Sequence, residues 1–220
     1  MSACAAVLFD LDGTLIDSAP DLAGALNRLR QQRGMDPLPY SALRPLVGSG
    51  ARGMVGAGFN LQPGAEGFDE LKDAFLAEYQ GHLLDQTRVF EQSAWLLEAL
   101  ASRGLPWGIV TNKSTRYAEP VVQGLGLAQH SAVLVCGDTT PHAKPHPAPL
   151  LEAASRLRVA ASDCVYVGDD LRDVQAGRAA GMRTVAVTWG YLGVGEAVHD
   201  WGADQVIETP QELLNWLNLA

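Results

Sequence analysis

Basic residues are the scarcer charged class in this chain: Lys and Arg number 16 against 25 Asp and Glu, a formal net charge of −9. That balance argues against a general attraction to nucleic acid or anionic membrane, so any anionic ligand must be held by a few local groups. Cysteine is rarer still. Cys4, Cys136 and Cys164 make an odd three, with no C-x-x-C and no Cys/His zinc spacing, which suits free thiols in a reducing compartment. No apolar run approaches the roughly 18 residues of a membrane span, and the first apolar stretch has no basic segment ahead of it and is broken by Asp10. These absences lead us to expect a cytoplasmic protein with no nucleic-acid and no membrane partner. Low-complexity segments and internal repeats are also missing, which excludes disordered and solenoid classes.

What is present is an ordinary globular composition: 220 residues, 47% hydrophobic and 19% charged. The length suits one large α/β domain, or about 150 residues plus a smaller insert. Short apolar runs rich in β-branched residues recur at 5–9, 106–110, 132–135, 164–167, 184–187 and 205–207. From residue 107 onward they alternate with helical patterns at 115–124, 148–157, 171–180 and 211–217. That alternation predicts a Rossmann-like, doubly wound parallel sheet of the α/β class.

About ninety residues separate the first strand from the second, too many for one βα connection. Leu22, Leu26 and Leu29 keep helical spacing, as do Phe68, Leu71, Phe75, Leu76, Tyr79 and Leu83, so the intervening segment is expected to be helical. We therefore expect a core of residues 1–17 and 87–220 and an inserted helical domain of residues 18–86. A further helix at 92–103, with Trp95, Leu96, Ala99 and Leu100 on one side, is assigned to the core, and Trp95 and Trp107 are expected to be buried. Ser18-Ala-Pro-Asp21 has a capping-box pattern, Thr209-Pro210-Gln-Glu212 places proline at a first helical position, and Gly104 and Gly181 close helices.

The first apolar run ends in Asp10-Leu-Asp12-Gly13-Thr14. Ligands of a parallel α/β sheet bind beyond the carboxyl ends of its strands, where these aspartates fall. Residues two apart in extended backbone face one side, so both carboxylates can converge while Gly13 turns the chain away. Two adjacent carboxylates repel unless a cation compensates, and oxygen-only ligands favour a hard ion such as Mg²⁺. Thr111-Asn112-Lys113 follows a strand and leads into a helix, a place where phosphate oxygens are often held. Lys144 follows the third strand. Gly168-Asp169-Asp170-Leu-Arg-Asp173 follows the fourth. Taken singly, each has an ordinary explanation: a strand-end turn, a capping residue, a solvated loop lysine, a helix N-cap. Their joint order carries the argument.

That order, Asp10-x-Asp12-Gly13-Thr14, then Thr111, then Lys144, then Gly168-Asp169-Asp170-x-x-Asp173, resembles the four motifs of the haloacid-dehalogenase-like hydrolases over the whole chain. The helical insert resembles that family's C1 cap. The resemblance implies that Asp10 is the nucleophile forming an aspartyl-phosphate and that Asp12 is the general acid and then base, a role that needs a raised pKa. It implies that Thr111, Asn112 and Lys144 hold the phosphoryl oxygens, with Lys144 also offsetting Asp10. Mg²⁺ would be bound by the Asp10 carboxylate, the Asp12 main-chain carbonyl and Asp169, while Asp170 and Asp173 are left as outer groups or further ligands. An aspartate at position 12 favours phosphate-ester hydrolysis or a phosphomutase over dehalogenation, hydrolysis being the more common case.

Within the family, the chain is similar to the phosphoglycolate phosphatase branch. Gly50-Ala-Arg-Gly-Met-Val55, Trp107-Gly-Ile-Val-Thr-Asn-Lys113, Arg116-Tyr-Ala-Glu-Pro120, Val167-Gly-Asp-Asp-Leu-Arg-Asp173 and Trp201-Gly-Ala-Asp204 resemble a narrower group, the N-acetylmuramic acid 6-phosphate phosphatases of peptidoglycan recycling. The implied partner is a small phosphorylated metabolite, an amino-sugar phosphate or phosphoglycolate. The oligomeric state is left open. A phospho-aspartate signalling receiver shares the acidic residues, Thr and Lys, but carries its phosphoacceptor after a middle strand and needs no helical insert.

Gly48-Ser-Gly50-Ala-Arg-Gly53 matches G-x-G-x-x-G without the strand that a dinucleotide site requires. It reads instead as a loop of the insert whose Arg52 either reaches a substrate carboxylate or sugar oxygen, or is simply solvated. The five histidines show no metal spacing. Trp189, Tyr191 and Trp201 are expected at the rim of the core.

Overall fold

The computed structural model describes residues 4–219, so residues 1–3 and 220 of the expected core lie outside it. Six strands form a parallel sheet in the order β5-β4-β1-β6-β7-β8: β1 (Ala6–Phe9), β4 (Trp107–Val110), β5 (Leu134–Val135), β6 (Cys164–Gly168), β7 (Arg183–Val187) and β8 (Gln205–Ile207). Strand β1 lies between β4 and β6, with Val7 opposite both Trp107 and Val165. From β1 the chain passes first to one side and later to the other. That switch opens a crevice at the carboxyl end of β1.

The two faces of the sheet follow from the two-residue period of a strand. Val7, Phe9, Trp107, Ile109, Val165 and Val167 pack into one apolar cluster, with residues of α5 (Glu91–Ser102), α6 (Thr115–Gly124) and α9 (Pro210–Trp216). Ala6, Leu8, Val110, Cys164 and Tyr166 point the other way, onto α7 (Ala148–Leu157) and α8 (Leu171–Ala179). Both faces are covered, so the central strands β1, β4 and β6 are buried along their whole length, as a doubly wound sheet requires. Trp95 departs from expectation and is 46% exposed. The buried arc of α5 runs through Leu96, Leu97 and Leu100, and Trp95 falls outside it.

Between β1 and β4 the chain forms an antiparallel pair, β2 (Ile16–Asp17) with β3 (Arg88–Val89), where it leaves and re-enters the core. The segment between them is helical: α1 (Ala19–Gln32), α2 (Tyr40–Leu43), α3 (Gly50–Phe59) and α4 (Phe68–Gln80). It has its own apolar cluster, including Leu26, Leu29, Leu43, Met54, Phe75 and Tyr79, which also receives Tyr117 and Tyr191.

The expected capping box at Ser18 does not form. The Tyr191 hydroxyl instead accepts from the Ser18 and Ala19 N–H groups at 2.8 and 3.0 Å and donates to Asp17. Asp21, released from capping, accepts from Gln86 N–H, Thr87 N–H and the Thr87 hydroxyl, which joins the two ends of the insert. Gly104 and Gly181 do follow their helices in left-handed conformation. Among the described residues, no helix is long and apolar enough to cross a membrane.

Candidate active site

The ends of β1, β4 and β6 bring the separated motifs together around a cavity of about 310 Å³. Asp10, Asp12, Thr111, Asn112, Lys144 and Asp169 all border it. Asp10 is fixed at the end of β1 by its N–H bond to Val167, and Thr111 at the end of β4 by its bond to Val135. Gly13 then turns the chain with φ +89°, and a Cβ there would lie 2.2 Å from an Asp169 carboxylate oxygen. The turn therefore needs glycine for its conformation and for space.

Lys144 is the electrostatic centre of the site. Its Nζ donates to Asp10 Oδ1 at 2.8 Å, Asp173 Oδ1 at 2.7 Å and the Tyr166 hydroxyl at 2.7 Å. Tyr166 passes its own hydrogen to the Val110 carbonyl. One ammonium thus binds two buried carboxylates, and a third, Asp169, offers an oxygen within 4.8 Å of them. Burial is the main force on Asp10, raising its pKa from 3.8 to about 7 against the pull of Lys144, with Asp173 adding to the rise. Asp169 is pushed well above the usual carboxylate range by burial and then by Asp10 and Asp173.

Asp169 is oriented by the Thr14 hydroxyl at 2.8 Å and the Tyr191 N–H at 2.7 Å, each on a different oxygen. Asp10 Oδ2 accepts no hydrogen bond among the described residues. Asp173 is more fully engaged: Oδ1 meets Lys144 and Tyr166, and Oδ2 accepts from Asp170 N–H. A hard divalent cation fits this surplus of buried negative oxygen, and the free valence is richest on Asp10 and Asp169. Asp170 serves chiefly as the N-cap of α8 and the partner of Arg172.

Asp12 has partners that the motif pattern did not show. Lys113 donates to both its carboxylate oxygens, at 3.0 and 3.2 Å, and the Ser18 hydroxyl donates to Oδ1 at 2.5 Å. The Lys113 ammonium also lies 4.7 Å from the centre of the Tyr79 ring, which comes from α4. Its pKa is raised by Asp12 and Tyr79 in spite of burial. The adjacency of Lys113 to Thr111 was visible in the sequence, but its target was not.

Two expected substrate contacts are placed differently. The Asn112 side chain is committed at both ends, donating to the Lys144 carbonyl and accepting from the Lys144 N–H, each at 2.9 Å. It clamps the loop that carries Lys144. Arg52 is exposed and lies outside the cavity wall. It sits in the first turn of α3, whose cavity-facing residues are Gly50 and Ala51. The cation in that part of the wall is Arg172.

A family model for haloacid dehalogenase-like hydrolases matches residues 7–187. The chain belongs to this family. It is 43% identical over 215 residues to an N-acetylmuramic acid 6-phosphate phosphatase of Pseudomonas aeruginosa, covering 98% of this chain and 95% of that one. It is 45% identical over 209 residues to a phosphoglycolate phosphatase of Xanthomonas campestris pv. campestris, covering 94% of each. The crystal structure of a predicted phosphoglycolate phosphatase from Haemophilus somnus superposes with a TM-score of 0.85 at 25% identity, covering 98% of this chain and 99% of that one. Fold, motif order and relatives agree on a phosphoric monoester hydrolase of this family.

Proposed function

We propose that this hydrolase cleaves a small phosphorylated metabolite through an aspartyl-phosphate on Asp10, with Mg²⁺, and that the substrate is N-acetylmuramic acid 6-phosphate. The observation that carries the reading is the buried set of Asp10, Asp169 and Asp173 beyond the carboxyl ends of the central strands, with Lys144 bound to Asp10 and Asp173. Residues 18–86 act as a cap over a core of 1–17 and 87–220. Membership in the hydrolase family sets aside the receiver alternative.

In the first half-reaction a carboxylate oxygen of Asp10 bonds to phosphorus as the ester P–O bond breaks, and Asp12 gives its proton to the departing alkoxide. In the second, Asp12 takes a proton from water, the water oxygen bonds to phosphorus, and the acyl-phosphate P–O bond breaks to free Asp10. Asp12 is aimed by Lys113 and Ser18. Thr111 and the main chain beside it face the phosphoryl group, and Lys144 holds Asp10 while Asn112 fixes the Lys144 loop. Asp10 and Asp169, with the Asp12 carbonyl, would hold Mg²⁺, which supplies positive charge to the phosphoryl oxygens and relieves the carboxylate repulsion.

The wall opposite the aspartates favours the larger substrate. It carries Leu22, Val47, Phe75, Leu76 and Tyr117, apolar surface suited to the face of a sugar ring and its methyl groups. Phosphoglycolate has no such surface, but the Xanthomonas relative keeps it as the second reading. Phosphate release from both esters, measured side by side with Mg²⁺ or EDTA and with Asp10→Asn as control, decides between them. A Mg²⁺-dependent preference for the amino-sugar ester that the variant abolishes supports the proposal. Preference for phosphoglycolate moves the chain to glycolate salvage, and equal activity in the variant overturns the mechanism.

A further inference from the structure

Three cations border the cavity, Lys113, Lys144 and Arg172, and two are fully spent. Lys144 is surrounded by Asp10, Asp173 and Tyr166, and Lys113 is closed between Asp12 and the Tyr79 ring. Arg172 differs. Its Nε and Nη2 bind the two oxygens of Asp170 at 2.7 and 2.8 Å, and Nη2 also donates to the Gly48 carbonyl. Nη1 donates to nothing among the described residues, and the side chain is 37% exposed.

The guanidinium is therefore locked in orientation from one side and open on another. Asp170 is held in turn as the N-cap of α8, and the Gly48 contact sets the group where α8 meets the turn before α3. A guanidinium fixed in this way loses little freedom when it takes another acceptor, and two N–H donors on one nitrogen suit a carboxylate oxygen.

We infer that Arg172 is a specificity-determining residue, binding through Nη1 a carboxylate on the alcohol portion of the phosphate ester. The inference rests on the phosphatase reading and assigns to Arg172 the task that the sequence suggested for Arg52. Both substrates under consideration carry such a carboxylate, one on a lactyl ether and one on the glycolate carbon. The shared chemistry is what the site reads, and matched pairs of esters separate the two sources.

The test compares kcat/KM within two pairs: N-acetylmuramic acid 6-phosphate against N-acetylglucosamine 6-phosphate, which lacks the lactyl group, and 2-phosphoglycolate against 2-hydroxyethyl phosphate. A charge-assisted hydrogen bond corresponds to about 10- to 100-fold discrimination. The full chain should show that preference in at least one pair, and Arg172→Gln should reduce the ratio to within about threefold of unity, most of the change being in KM. A ratio retained in Arg172→Gln, even with both rates lowered, overturns the inference, as does hydrolysis of the esters without carboxylate preference in the unmodified enzyme. If the variant does not fold, inhibition of the unmodified enzyme gives the same reading: N-acetylmuramic acid must bind more tightly than N-acetylglucosamine, and equal inhibition overturns the assignment. Hydrolysis of none of the four esters removes the phosphatase reading itself and the inference with it.

Discussion

Lys113 grips both carboxylate oxygens of Asp12, at 3.0 and 3.2 Å, while its ammonium rests over the ring of Tyr79. A residue of the core loop thereby ties the proposed acid/base to a helix of the insert. Lys113→Met keeps the length and apolar stem but removes the grip. We expect kcat to fall by about 10- to 100-fold, the usual scale for a misaimed acid/base, with a smaller change in KM. Stopped-time assays with circular dichroism as a check on folding decide it. Unchanged kcat in a folded variant would show that Asp12 is held well enough by Ser18.

The crowding of Asp10, Asp169 and Asp173 predicts how stability follows pH and metal. From 3.8 up to about 7 the unfolded chain gives up the Asp10 proton while the metal-free native state keeps it. The native state therefore binds more protons in this window, and its stability contribution declines as pH rises. Asp169 is raised in the same direction. Mg²⁺ competes with those protons, so the gain in Tm on adding it should widen from pH 5 to pH 8. Melting curves in EDTA and in saturating Mg²⁺ across that range measure the gap; a gap that is constant, or larger at pH 5, contradicts the charge assignment. Asp10→Asn should narrow it at every pH.

Asp21 joins residues that are 65 and 66 positions away, and its bonds to Gln86 and Thr87 close the base of the insert. Asp21→Ala leaves the buried Thr87 N–H and hydroxyl, and the Gln86 N–H, without that acceptor. The expected cost is about 2–4 kcal/mol, or roughly 5–15 °C in Tm for a chain of this size. Thermal melting checks it, and a shift below about 2 °C would mean that the crossing is held by β2 and β3 alone.

Asp21 also marks where the sequence stops being legible. Strand and helix positions show because Ala6–Phe9 and its neighbours are apolar throughout and are followed by polar punctuation. The order of Asp10, Thr111, Lys144 and Asp169 shows because Asp10, Thr111 and Asp169 each end a recognisable strand and Lys144 lies in the loop after another. What does not show is pairing across long separations. Ser18 and Asp21 have the spacing of a capping box, yet Tyr191, 173 positions beyond Ser18, supplies the cap and frees both side chains for other partners. Asn112 reads as a phosphate ligand until the Lys144 loop closes on it. The sequence points to Arg52, in its glycine-rich stretch, and gives no reason to single out Arg172. Only the approach of α8 to the turn at Gly48 places Arg172 in the wall.

Gly13 offers a separation of backbone strain from metal-site geometry. Its φ of +89° disfavours any side chain by about 1–2 kcal/mol, and an added Cβ would also press on the Asp169 carboxylate. Gly34 has a φ of +72° but nothing within 4 Å of an added Cβ. Gly34→Ala should thus lower Tm by only a few degrees and leave Mg²⁺ dependence unchanged. Gly13→Ala should lower Tm and also weaken Mg²⁺ activation by at least about tenfold, because Asp169 must swing away from Thr14 and Tyr191 to make room. Titrating activity with Mg²⁺ in the two variants reads the difference. If Gly13→Ala shifts Tm as Gly34→Ala does and keeps the unmodified Mg²⁺ midpoint, Asp169 tolerates displacement and its assignment as a metal ligand fails.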